Sequence, residues 1–129
     1  MASTEKIPSP LGKYSPVRVV RVGSSTMLYL SGAATIGEAA YDVAKQSEII
    51  FRRMGLLLAE YGASLDDLVK ITAFLADIRS DYQTYNAVRN KVFANNPNPP
   101  ASSAVGVTLN LNAELRVEIE GVAVIYEKP

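Results

Sequence analysis

Val117-Glu118-Ile119-Glu120-Gly121-Val122-Ala123-Val124-Ile125-Tyr126 decides the fold. Strand alternation puts Val117, Ile119, Ala123 and Ile125 on one face, and Val122, Val124 and Tyr126 on the other. A strand that is apolar on both sides needs cover on both sides. Met27-Leu28-Tyr29-Leu30 makes the same demand. The two belong to one sheet whose faces must both be buried.

The rest of the chain supplies cover for one face. Val17 to Val22 and Met27 to Ser31 flank the turn signal Gly23-Ser24-Ser25 and read as a hairpin. Asp42 to Tyr61 reads as a helix, because Val43, Ser47, Ile50, Met54, Leu57 and Tyr61 recur at three- and four-residue spacings. Lys45, Glu48, Arg52, Arg53 and Glu60 mostly fall off that stripe, and Gly62 stands where a C′ glycine ends a helix. Val69 to Leu75 alternates as a strand, with Val69, Ile71, Ala73 and Leu75 on one face. Ser80-Asp81-Tyr82-Gln83 has the form of a capping box opening a second helix to about Phe93. Asn95 to Pro100, with three prolines, breaks it. Strands at about Ser103 to Leu109 and Leu115 to Tyr126 follow, joined by Asn110-Leu111-Asn112-Ala113.

The order β-β-α-β-α-β-β places each helix between strands. Right-handed crossovers then put both helices on one face of a single sheet. The class is α/β (α+β), one domain over 1–129, with 1–16 as a loosely held lead-in. A chain of 129 residues has no third layer to offer, so the second face is expected to meet other copies of the chain.

Composition removes whole classes of chemistry. Lysine plus arginine (13) balances aspartate plus glutamate (13), so no global field draws nucleic acid or an anionic membrane. Without cysteine or histidine, thiolate and Ser–His catalysis are excluded and a zinc or iron site is not expected. No glycine-rich phosphate loop or dinucleotide fingerprint is present, and no cofactor is expected. No apolar run approaches the roughly 20 residues of a membrane span. No secretory signal precedes the first strand, so a cytoplasmic location is expected.

Glu118 and Glu120 share a face with Val122 and Val124. Their plain reading is a solvated strand end, with Arg116 as salt-bridge neighbour. A carboxylate in a partly apolar cleft would instead have a raised pKa and could hold or deprotonate a water. Asn86 follows Tyr82 by one helical turn and reads as a helix–loop tie or a ligand contact. Arg89, one turn further, reads as a solvated cation or as one that reaches a cleft. Tyr14 packs the lead-in or lines a site. The pair Arg52-Arg53 carries no functional reading.

Asn98-Pro99-Pro100-Ala101-Ser102-Ser103-Ala104-Val105 resembles the signature of the Rid (reactive intermediate deaminase, YjgF) family. Tyr29-Leu30-Ser31-Gly32, the run from Ser64 to Ile78, and Val117 to Ala123 are similar to the same family in order and spacing. The resemblance covers nearly the whole chain. It implies a chorismate-mutase-like fold and a homotrimer around a central barrel, with small-molecule clefts between subunits. Active members hydrolyse imines and enamines such as 2-aminoacrylate to a 2-keto acid and ammonia. Carried over by position, Glu118 matches the water-holding catalytic glutamate. Tyr14, Ser31 and Asn86 match substrate-binding positions. Ser102 stands where those members have a carboxylate-binding arginine, and Ala104 where many have cysteine.

A lost charge-assisted contact of about 1.5–3 kcal/mol would cost roughly 10²-fold or more on small 2-imino acids. The resemblance therefore implies an imine or enamine deaminase (a hydrolase acting on C=N) with altered substrate choice. Arg89 is the candidate replacement cation, which an aminomuconate-type dicarboxylate would also need. The alternative is a non-catalytic metabolite-binding or regulatory trimer using the same cleft. Ribonuclease activity, an old label for the family, is disfavoured by the neutral charge and missing histidine. Ser102→Arg is expected to add activity on 2-aminoacrylate.

Overall fold

The computed structural model describes residues 7, 9–109 and 113–127. Strands β1 (Val17–Val22) and β2 (Ser25–Ala33) form the expected hairpin, with Val22 opposite Ser25 across Gly23-Ser24. Gly23 turns the chain at a φ of +59°, which L side chains avoid. Helix α1 (Val43–Ala59), β3 (Leu68–Leu75), helix α2 (Ile78–Val92), β4 (Ala101–Gly106) and β5 (Val117–Tyr126) complete the order read from the sequence. A single 3₁₀ turn at Leu65–Asp67 leads into β3.

The strands lie in the order β1-β2-β5-β3-β4. Only β3 and β4 run parallel, so the sheet is mixed, and β5 sits at its centre. Both helices cover one face. Ile50, Phe51, Met54 and Leu58 of α1 and Tyr85 of α2 are fully buried against Leu28, Ile71, Leu75 and Ile119 of the sheet. Phe51 knits the layer together, its ring 6.4 Å from that of Tyr85 and edge-on to Phe93 at 5.7 Å.

Four local readings are corrected. The second helix begins at Ile78, not at Ser80: Asp77 is its N-cap and accepts from the Ser80 N–H at 3.3 Å. Aspartate caps as well as serine does, and here it comes first. Val69 is not on the core face. The register slips between Leu68 and Lys70, and this bulge turns Val69 outward to 49% exposure while Leu68 takes its place in the core. Strand β4 runs Ala101–Gly106 rather than Ser103 to Leu109, following its parallel pairing with Lys70 to Leu75. Tyr61, expected on the helical stripe, is exposed, because α1 stops at Ala59 and Gly62 reverses the chain at a φ of +75°. Asn110 to Asn112 of the expected Asn110 to Ala113 connection, and residues 1–6 and 8 of the lead-in, lie outside the described residues.

Within one protomer the second face is open. Val20, Val22, Tyr29, Val105 and Tyr126 are exposed, and Met27, Val122 and Val124 are half-buried. No helix is long and apolar enough to cross a membrane among the described residues.

Gly121 lies at the buried crossing of β5 with α1. A Cβ there would meet Leu68 Cδ2 at 3.1 Å, the Lys70 carbonyl at 3.2 Å and Met54 Cε at 3.2 Å. The Lys70 oxygen belongs to a paired strand and cannot retreat. Gly121→Ala is therefore expected to cost about 1–3 kcal/mol by overpacking. Urea unfolding measures this, and a midpoint equal to wild type would show that the crossing has slack.

Candidate functional site

The candidate residues fall into two groups. The first lies where β2 bulges away from β5. The register slips between Leu30 and Ala33, which frees Ser31 and Gly32 from regular pairing. Glu118 of β5 closes on this gap, and its carboxyl rests directly against Gly32. Tyr14, Pro16, Ser31, Gly32, Arg53 and Glu118 line a cavity of about 160 Å³.

Burial raises the Glu118 carboxyl above its ordinary pKa, and the nearby charge of Glu120 adds to this. Among the described residues nothing donates a hydrogen bond to its oxygens. Arg116 is not their partner. It lies 2.7 Å from Asp81 and 3.8 Å from Asp77 at the start of α2, which corrects the reading of Arg116 as their salt-bridge neighbour, while Glu120 is exposed as a solvated strand end is. The acidic first turn of a helix pointing at Arg116 outcompetes strand neighbours. Gln46 completes this corner, accepting from the Arg116 N–H and donating to the Ala39 and Glu114 carbonyls.

Ser31 and Tyr14 act on the lead-in as much as on the cavity. Ser31 Oγ donates to the Ser15 carbonyl at 2.6 Å, and its N–H donates to Pro16. Tyr14 Oη accepts from the Leu11 N–H. These bonds drape residues 11–16 over the cavity mouth.

Arg53 escaped the sequence reading. It is 8% exposed, lines the same cavity, and is ion-paired to Glu38. Burial alone would raise the Glu38 carboxyl, but the Arg53 guanidinium and the Ile36 N–H hold it below the usual carboxylate range. The signal was present: Gln46, Ile50, Arg53 and Leu57 recur at helical spacing, so Arg53 belongs to a buried flank of α1.

The second group sits on α2 and β4. Arg89 donates to Ser102 Oγ at 3.3 Å and to Asn86 Oδ1, and its guanidinium lies 5.7 Å from the centre of the Tyr85 ring. Arg89, Asn90, Phe93, Pro99, Pro100 and Ser102 line an open cleft of about 460 Å³. Asn86 thus ties to its own helix rather than to a loop.

One protomer does not unite the groups. Ser102 pairs beside Ile71 on the helix-covered face, where Arg89 reaches it. Glu118 pairs beside Phe74 on the alternate, open face, the face on which Lys70 Nζ donates to Ser103 Oγ at 2.9 Å. Among the described residues no cluster of three or more His, Cys, Asp or Glu could hold a metal.

A cleft of the second group's size, with a few polar groups set among apolar walls, belongs to the class of small-molecule sites. The comparisons with known proteins take this further. The family model described as Endoribonuclease L-PSP matches residues 4–125. A RutC family protein of Pyrococcus abyssi is 33% identical over 93% of this chain and 92% of its own. Reactive intermediate deaminase A, chloroplastic, of Arabidopsis thaliana is 34% identical over 92% of this chain and 63% of its own. The crystal structure of E. coli TdcF with bound serine matches with a TM-score of 0.76 and 29% identity, over 92% of each chain. The chain belongs to this L-PSP family, the YjgF/RutC/Rid family, in which some relatives carry the name reactive intermediate deaminase.

Proposed function

We propose that this chain is a cytoplasmic imine or enamine hydrolase of the Rid type, working as a homotrimer with altered substrate choice. The observation that carries the reading is Glu118: a half-buried carboxyl of raised pKa, without a hydrogen-bond donor among the described residues, set in a small cavity against Gly32. Such a group is poised to accept a proton from water. The water oxygen adds to the C=N carbon as its proton passes to Glu118, which returns that proton to the imine nitrogen. The carboxylate then takes the hydroxyl proton of the resulting carbinolamine as the C=O bond forms and hands it to the nitrogen, which departs as ammonia. An activated C=N bond is an easy target, so one well-placed base suffices.

Glu118 and Ser102 stand on alternate faces of the sheet and line separate cavities, so a substrate touching both needs two protomers. The open apolar face is where those copies would meet. This supports the trimer with ligand clefts between subunits. RNA cleavage is disfavoured by the balanced charge and the absence of histidine.

One observation favours the non-catalytic, metabolite-binding reading: the Ser31 hydroxyl is already committed to Ser15 rather than to a ligand. A coupled assay separates the two. 2-Aminoacrylate, and larger imines made by an amino-acid oxidase, are generated with and without the protein. Faster loss of any imine is expected. No acceleration across the panel would leave the binding reading in its place.

A further inference from the structure

Three arginines are held in place by neighbouring side chains, two of them lining the cavities, and their partners differ. Arg53 is paired with Glu38, and Arg116 with Asp81 and Asp77. Arg89 has no carboxylate partner among the described residues. Its two hydrogen bonds go to the neutral oxygens of Ser102 and Asn86, and a ring face supports it. Those bonds use two of the five N–H donors that a guanidinium carries. Among the described residues no carboxylate offsets its charge, and the fork keeps N–H donors beyond these two bonds for a planar, two-oxygen acceptor.

Position completes the picture. Arg89 borders the open cleft, and its reach to Ser102 carries the guanidinium from α2 to the surface of β4. Ser102 is exposed, so its short side chain leaves room above it. Phe93, Pro99 and Pro100 supply apolar walls. A cation fixed by neutral partners beside an apolar wall is preorganised for a small monocarboxylate with an uncharged body.

We infer that Arg89 is the carboxylate anchor of this cleft, acting from α2 across Ser102 rather than from the strand itself. The inference deepens the deaminase reading and rests on it for the identity of the carboxylate, a 2-imino or 2-keto acid. It also revises the single change Ser102→Arg. That substitution alone would press a second guanidinium against the first, so a gain in turnover requires Arg89 to be removed as well.

Binding tests it without turnover. Pyruvate and its neutral counterpart pyruvamide are titrated into the full chain by calorimetry or NMR. Wild type is expected to prefer pyruvate by about tenfold or more. Arg89→Met should bind the two alike, and Arg89→Lys should keep part of the preference, having charge without the fork. Arg89→Met with Ser102→Arg should restore the preference from the strand. Undiminished preference in a folded Arg89→Met chain would overturn the inference, as would equal binding of both probes by wild type. Should Arg89→Met misfold, full preference in Arg89→Gln would overturn it equally. Arg89-dependent pyruvate binding in a chain that hydrolyses no imine would sink the deaminase reading and leave the anchor standing.

Discussion

Glu118→Gln should lower imine hydrolysis by about 10²-fold or more and, at neutral pH, raise the melting temperature. The first effect follows from losing the base: a positioned proton acceptor contributes roughly 10²–10⁴-fold. Glutamine keeps the shape and removes the basicity. The second effect follows from burial, which lifts the Glu118 carboxyl above its ordinary value of 4.5, with Glu120 adding to it. An acid whose folded pKa is raised resists ionisation in the fold. Wild type therefore loses stability as pH climbs from the ordinary glutamate value through the folded one. Glutamine carries no such penalty. At pH 4 both side chains are largely neutral and the two proteins should melt alike. At pH 7.5 the variant should melt higher, by no more than about 5 °C because the group is half solvated. Melting curves at the two pH values test the electrostatics, and turnover tests the chemistry. Unchanged turnover in Glu118→Gln would remove the proposed mechanism.

Gly32→Ala should have nearly as large an effect on rate without touching a reactive group. A Cβ at position 32 would collide with Glu118 Oε1 and lie 3.0 Å from Cδ. Gly32 is exposed and has no left-handed φ, so the backbone accepts alanine. The carboxyl, at the end of a flexible side chain, must swing away instead. A displacement of about 1 Å at a catalytic group costs on the order of 10²-fold. Melting should change less than in Gly121→Ala, where the neighbour is fixed backbone. Combining Gly32→Ala with Glu118→Asp shortens the side chain by one methylene and should recover part of the rate. Full activity in Gly32→Ala would mean that Glu118 works from another position than the one it holds against Gly32.

Much of this was legible in the residues. The two-sided apolar character of β5 and β2 announced a sheet with one face left open by its own helices. The helical spacing from Val43 to Met54 placed α1, and the Gly23-Ser24 turn placed the hairpin. The misses have local causes. Capping chemistry is degenerate, so Ser80 drew attention from Asp77. Perfect alternation from Val69 to Leu75 concealed a bulge, because a bulge changes pairing partners and not composition. Arg53 looked solvated because it neighbours Arg52, while its true companions are Gln46, Ile50 and Leu57 along the helix. The site was legible as a set of residue types and not as a geometry. No spacing reveals that Glu118 leans on Gly32, or that the Arg89 side chain ends at Ser102. Both contacts join segments far apart in sequence or cross from helix to strand.

The place of β5 has a consequence for how the chain acquires its structure. β1 with β2, and β3 with β4, are two half-sheets that share no strand pairing except through β5. Each half can collapse early, with α1 and α2 lying across an unfinished floor. The sheet becomes continuous only when Val117–Tyr126 threads between them and zips along both edges. Such insertion joins segments far apart in sequence, the kind of pairing that closes slowly. Until it happens, β2 and β3 present bare inner edges, which is the interval in which strangers are most apt to add to them.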